Sequence, residues 1–233
     1  MTTTLIRTEN GAAGYDAPVR VTTRQSSLRP MVLRADASTV RIALVAQRAL
    51  LLASDEVSID VHVGDSTHVH LIEPAGTVAY HMRGRSAAWN VTVQVERGGS
   101  LTWHGEPFVV SEGASVSRTL DATLAESARL LLRETIVLGR TGERGGRLRS
   151  STRIADAIGP TVVEDLDVGD DRPEVVGPNR VIDTVLAIGQ PIPEVDVADR
   201  MILERGGALW RRLGRDCRSA SLDAVFGYLD VGE

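Results

Sequence analysis

The chain has 233 residues, a net charge of −5, a single cysteine, eight aromatic residues and no lysine. An acidic chain without a basic tail is a poor nucleic-acid binder, and so few aromatics leave no platform for stacking bases. The lack of lysine excludes a Schiff base, a P-loop lysine and a lysine general base.

At this length, an all-β chain forms one domain that buries roughly 70% or more of its unfolded surface. Cys217 has no internal disulfide partner, which fits a reducing compartment. The polar start MTTTLIRTENGAAGYD has no apolar h-region, and the longest apolar run, 42–53, is broken by Gln47 and Arg48. The expectation is a cytoplasmic protein with no membrane span.

Taken in order, residues 1–18 read as irregular, and strands are expected at 19–23, 30–34 and 39–45. The run 48–53 could be helix or strand. From Asp55 the period is two. Val57, Ile59, Val61 and Val63 share one face, and Val91, Val93 and Val95 repeat the pattern. One face to the core and one to solvent suggests antiparallel pairing.

Strand, small-residue knot and strand recur across 55–149. The knots close at Thr67, Gly99, Ala114 and Ala128, with gaps of 32, 15 and 14, so the first gap is about two of the others. This implies stacked strands. Leu130–Leu132 and Ile136–Leu138 are apolar at successive positions, which marks 129–138 as a strand covered on both faces at the centre of the core. A glycine-rich turn follows at 139–146, then strands at 147–154, 161–168 and 181–188, with a turn at 169–173. From 194 to 230 the chain reads as mixed. Leu209, Trp210 and Leu213 have helical spacing. Ser221 is placed as an N-cap before Leu222, Val225, Phe226 and Leu229. The fold class is therefore all-β dominated: one domain over 1–233 of stacked strands resembling a β-helix or solenoid, with one or two C-terminal α-helices.

All five histidines lie between 62 and 104. His68 and His70 share a strand face and could hold a metal together, whereas Glu73 has the opposite parity and would need a bulge or the Pro74 kink to join them. Gly64, His68, His70 and Glu73 resemble the first metal motif of cupin-type enzymes, although the spacing is too tight and no second motif follows. Glu134 stands inside an apolar run, where a carboxylate must be paired, hydrogen-bonded or protonated. Arg133 and Arg140 are its nearest candidate partners. Glu56, Glu164, Asp165, Asp167 and Asp55 complete the set of acids that could include a buried pair. No G-x-S-x-G, Walker or dinucleotide fingerprint occurs.

Five further elements appear in a fixed order: Leu71 to Tyr80 with Thr77, Gly98 to Pro107 with Trp103, Ala128 to Arg140 with Glu134 and Gly139, then Gly142-Glu143, and Arg212-Leu213-Gly214. In that order they resemble the urease accessory protein family UreD, also called UreH. The chain departs from the family pattern at Val78, at Gly105 and in its ending. The resemblance implies a non-enzymatic β-rich scaffold that binds a helical UreF-like protein, with a UreG-like GTPase and apo-urease in the same assembly. Nickel would pass transiently, with no tightly bound cofactor, and Asp55, His68, His70, Glu73 and Glu134 are the candidates for handling it. Thr77, Tyr80, Trp103, Pro107, Gly139, Arg140, Arg212 and Gly214 are the expected framework residues. The alternative is a cupin-like metal-dependent barrel enzyme built on His68 and His70, and a third reading is a generic β-solenoid binding module.

Overall fold

A computed structural model describes residues 3–11, 17–169, 171–194 and 197–230. The chain begins with β1 (Thr4–Glu9), β2 (Arg20–Arg24), β3 (Leu28–Ala35) and β4 (Thr39–Ala46). Three coils follow. The first is β5 (Glu56–Val63), β6 (His68–Ile72) and β7 (Thr77–Ala79). The second is β8 (Ala87–Val95), β9 (Ser100–His104) and β10 (Phe108–Val110). The third is β11 (Ser115–Leu124) and the long β12 (Arg129–Leu138). After them come β13 (Arg147–Asp156), β14 (Pro160–Val168), the short helix α1 (Pro173–Val176), β15 (Val181–Ile188), a 3-10 turn at Val197–Asp199, β16 (Arg200–Ile202), β17 (Ala208–Gly214), α2 (Cys217–Ala220) and α3 (Asp223–Asp230).

Two sheets face each other. Sheet A runs β14-β13-β11-β8-β5-β1-β2, and sheet B runs β16-β17-β15-β12-β9-β6-β4-β3. Each coil adds one strand to each sheet, so β1, β5, β8, β11 and β13 are parallel neighbours, as are β4, β6, β9 and β12. A third ladder joins β7 and β10 to the second half of β12. The architecture is a solenoid-like stack of strands with small C-terminal helices, as the repeats imply.

The pairing direction differs from expectation. Alternating faces do mark one buried and one wet side, but β5 and β8 are parallel rather than antiparallel. In a solenoid the rest of the coil makes the return trip, so parallel neighbours need no crossover helix and one sheet face can stay wet.

The repeat length is corrected as well. Thr67, Gly99 and Ala128 close one corner, where the turns stack through Ser66 N–H to Arg97 O and Gly98 N–H to Glu126 O. Ala114 closes the opposite corner, against Gly146 and Arg147. The shorter gaps are half coils. Ser66, Gly98 and Ser127 each have a positive φ at the turn, which is why small residues recur there.

Residues 4–9 form a strand where irregular chain is expected. Thr8 Oγ1 accepts from Gly64 N–H at 3.2 Å and lies 3.0 Å from Thr67 Oγ1, which ties β1 onto the first coil. Val19 to Thr23 falls on the start of β2; of the turn expected at 169–173, residue 170 lies outside the described residues, and Arg172 N–H donates to Gly169 O just before α1. Leu209, Trp210 and Leu213 belong to β17, not to a helix. Leu209 faces the inter-sheet core and Trp210 faces the helical layer, so a strand buried on both faces mimics helical spacing. α3 follows the pattern expected of it, burying Val225, Phe226 and Leu229. Asp223 N–H donates to Ser221 Oγ at 3.1 Å.

β12 is the centre of the core. Leu130, Leu132, Ile136 and Leu138 face sheet A. Leu131 faces outward, under a second apolar cluster formed with Val185, Ala187, Trp210, Leu222, Val225, Phe226 and Leu229.

Candidate functional site: a charged row between the sheets

Strand parity carries several charged residues into the interior. On sheet A, one inward row reads Val57, Trp89, Arg118, Ser150, Leu166, and the next reads Ile59, Val91, Leu120, Thr152, Glu164. On sheet B, Glu134, Thr184 and Arg211 lie side by side. Glu73, which follows β6, and Gly105, which follows β9, prolong that line: Glu73 N–H donates to His104 O and Gly105 N–H to Arg133 O. A row that is apolar in the first coils becomes polar toward β13 and β14.

These groups surround a narrow cavity of about 40 Å³ lined by Glu73, Trp89, Trp103, Phe108, Arg118 and Glu134, among others. Arg118 forms an ion pair with Glu134 and stands 4.5 Å from the centroid of Phe108. Phe108 meets Trp89 edge to face at 5.7 Å. Arg118 Nη1 is buried with no hydrogen-bond partner among the described residues. Such an orphan donor is what a ligand or water would satisfy.

Glu73 differs from the other acids of the row. Its Oε1 accepts from Trp103 Nε1 at 2.9 Å, a neutral donor. Burial pushes its carboxyl up to about 7; the Trp103 hydrogen bond and Arg118 oppose this, while Glu134 and Glu106 add to it. Glu73 is thus a carboxyl poised to trade a proton near neutrality.

Toward the edge strands, Arg211 grips Glu164 bidentately, Nη1 to Oε1 at 2.6 Å and Nη2 to Oε2 at 2.8 Å. It also donates to Thr184 Oγ1 at 3.1 Å. Hydrogen bonding to Glu164 holds the Arg211 guanidinium above its ordinary pKa. This pair joins sheet B to sheet A.

The five candidate residues fall in three places. Glu73 and Glu134 line the cavity together. Glu134 pairs with Arg118 and not with Arg133 or Arg140, because Arg133 points to the opposite face and Arg140 pairs with Glu143. His68 and His70 share the outer face of sheet B. His68 Nδ1 is 2.8 Å from Ser100 Oγ, and His70 Nδ1 is 3.7 Å from Asp230 Oδ1. Glu73 faces the other way, so no bulge brings it to them. Among the described residues, no group of three or more His, Cys, Asp or Glu side chains is placed to hold a metal ion. Asp55 accepts from Leu52 N–H at 2.8 Å and pairs with Arg48 at 2.9 Å, which fixes a turn remote from the cavity lining.

The framework residues hold corners together. Thr77 N–H donates to Pro107 O and Tyr80 N–H to Leu51 O. Gly139 has φ +76° and packs against Gly145 N, while a Cβ on Gly214 would sit 2.7 Å from Ala220 N. Arg212 donates to Asp199 and to Ser221 O. Gly105, a departure from the family pattern, has a local cause. Its N–H is used by Arg133 O, and a Cβ there would lie 2.7 Å from that oxygen, so proline is excluded.

Arg118 and Arg211 carry the interior row but lack any motif. Parity alone signals them: Arg118 falls between Val116 and Leu120, Arg211 between Leu209 and Leu213, just as Glu164 falls between Val162 and Leu166.

A stack of parallel coils with a charge-lined interior and a helical layer on one sheet defines a solenoid-like β protein. Residues 16–224 match the family model described as UreD urease accessory protein. Urease accessory protein UreD 1 of Streptomyces griseus subsp. griseus is 41% identical over 230 residues, covering 97% of this chain and 89% of that protein. Urease accessory protein UreD of Streptomyces avermitilis is 28% identical over 84% of this chain and 79% of its own length. That of Frankia alni is 41% identical over 52% of this chain and 41% of its own length. The chain belongs to the UreD urease accessory protein family.

Proposed function

We propose that this protein is a non-catalytic scaffold that binds a UreF-like protein, a UreG-like GTPase and apo-urease in the cytoplasm and assists nickel insertion into urease. Nickel is cargo on this reading, handled transiently along the inter-sheet row. The observation that carries it is the row of Glu73, Arg118, Glu134, Glu164 and Arg211 between the two sheets, in which Glu134 and Glu164 keep 30% and 33% of their side-chain exposure. A scaffold needs no interior charge for stability, since buried ion pairs are readily replaced by apolar residues. The arginines neutralise Glu134 and Glu164 in place, and Glu73 alone has no arginine bonded to it. A divalent cation would displace its proton. The cupin-like alternative is disfavoured by the parallel coils and by the separation of Glu73 from His68 and His70.

The test is urease activation in cells with limiting nickel, set beside co-purification of the complex. Glu134→Ala and Glu73→Gln are expected to lower activation while the complex still forms. Equal loss of activation and assembly would assign these residues to structure alone. Failure of the wild-type chain to associate with its UreF-like partner would overturn the scaffold reading itself.

A further inference from the structure

The stack of corner turns stops after the third coil. Thr67, Gly99 and Ala128 close successive turns on one corner, and each turn hydrogen-bonds to the next. Among the described residues, no fourth turn stacks on Glu126 and Ser127. Instead, β13 and β14 join through a hairpin at 156–159, and β16 and β17 through another at 203–207. Between these hairpins a groove of about 660 Å³ opens over the third turn, walled by Leu124, Ala128, Ile188 and Gly207. Arg205 bridges the two hairpins, with Nη2 at 2.6 Å and 2.8 Å from the Asp156 carboxylate oxygens.

Two features of this corner call for a cover. Gln190 lines the groove, and its Nε2 is buried with no hydrogen-bond partner. A buried amide donor without an acceptor is costly. Nearby, the inward row of sheet B runs Leu132, Leu186, Leu209, Met201 and then leaves the stack, with Met201 50% exposed. The end of a solenoid needs a polar cap if it is to stay in water alone.

The same corner carries a knob. Ile158, at the tip of the first hairpin, is 84% exposed, more than any other large apolar residue described. Asp156 Oδ1 fixes that tip by accepting from Ile158 N–H at 2.8 Å and from Gly159 N–H at 3.1 Å. The carbonyls of Ala157 and Ile158 accept no backbone hydrogen bond among the described residues. The knob therefore offers an apolar side chain flanked by acceptors, and the groove offers apolar walls and an unused donor. Knob and groove lie side by side, because Ile158 forms part of the groove's own rim. A surface that carries its own complement is what a two-fold interface requires. The charges lining the groove are already matched within the chain, Asp156 by Arg205 and Glu126 by Arg97, so two identical faces meet without strong repulsion.

We propose that this corner is a two-fold interface between copies of the chain. Ile158 of each copy enters the groove of the other, and a carbonyl at 157–158 accepts from the Gln190 amide across the axis. The inference goes beyond the functional reading above, which assigns no contact between copies.

The test is sedimentation velocity of the full chain over a wide concentration series, with a reversible monomer–dimer equilibrium as the expected result. Ile158→Asp is an exposed change that leaves the melting curve of the monomer unchanged. It should raise the dissociation constant about tenfold or more, because it puts a charge into an apolar groove. Gln190→Leu keeps the shape but removes the donor, and should weaken the dimer without lowering the melting temperature. Leu33→Asp, 53% exposed near β4 at the other end of the stack, should dimerise as wild type. Hydrogen exchange in the dimer should slow at 124–128 and 156–159. Association lost in Leu33→Asp would reveal head-to-tail stacking and overturn the two-fold arrangement. A dimer of wild-type strength in Gln190→Leu would overturn the carbonyl contact. A chain that stays monomeric at every concentration, or a dimer indifferent to Ile158→Asp, would overturn the interface while leaving the scaffold reading intact.

Discussion

Arg133 and Asp183 form a buried ion pair, Nη2 to Oδ2 at 2.9 Å, with the Asp183 side chain 1% exposed. The pair joins neighbouring strands β12 and β15 to the helical layer. Asp183 also accepts from Thr135 Oγ1 at 3.0 Å and from Leu222 N–H at 2.8 Å, while Arg133 reaches Asp223 and lies 3.2 Å from His104 Nε2. Burial works against the charge on Arg133, and the bonds from Asp183 and Asp223 overcome it, holding its pKa above the ordinary value. Removing Asp183 leaves the buried Arg133 relying on the exposed Asp223 and strips Thr135 Oγ1 and Leu222 N–H of their acceptor. Asp183→Ala is expected to destabilise the fold by about 3–5 kcal/mol in urea unfolding. A change within a few tenths would show that the helical layer docks without this pair.

The pH dependence of stability should expose Glu73. Its pKa rises from 4.5 to about 7 on folding, first through burial. Across that window the folded chain holds more protons than the unfolded chain, so this group's contribution declines as pH rises. The decline approaches about 3 kcal/mol by the upper end, at about 1.4 kcal/mol per unit. Glu73→Gln should flatten that slope. Trp103→Phe, which removes the bond favouring the carboxylate, should move the titration higher. A slope unchanged by Glu73→Gln would refute the assignment.

Leu131, 2% exposed, joins β12 to the helical layer. Leu131→Ala should cost about 2–5 kcal/mol, the range for an unrelaxed core cavity. A loss below about 1 kcal/mol would mean that the layer collapses onto the gap.

Gly64 tests the first strand. A Cβ there would stand 2.5 Å from Thr8 O, so Gly64→Ala must push β1 away from the first coil. The expected loss is about 1–3 kcal/mol, with faster hydrogen exchange confined to β1 and β2. Wild-type protection of β1 in Gly64→Ala would count against the close packing of this strand.

Local patterning was legible wherever parity was clean. Val57 to Val63 and Val91 to Val95 announce their faces, and Glu134 stands out inside an apolar run. The same parity places Glu73 inside, away from His68 and His70. The rest was hidden for a common reason. Glu134 meets Arg118 from another sheet rather than its sequence neighbours, and Ala114 belongs to a different corner from Thr67, Gly99 and Ala128. Leu209 and Trp210 are both buried, so their strand loses its period of two.

The sequence by itself determined the stacked-strand class, the covered central strand at 129–138, the inward carboxylate Glu134 and the family. Each depends on alternation or order along the chain, which short-range sterics and burial impose. Only the tertiary structure decided that the coils run parallel, that Arg118 and Arg211 answer Glu134 and Glu164, and that α3 packs over Leu131 and Trp210 on sheet B. Those facts arise from contacts between residues far apart in the chain, and an alternating strand carries no mark of which strand will lie beside it or opposite it.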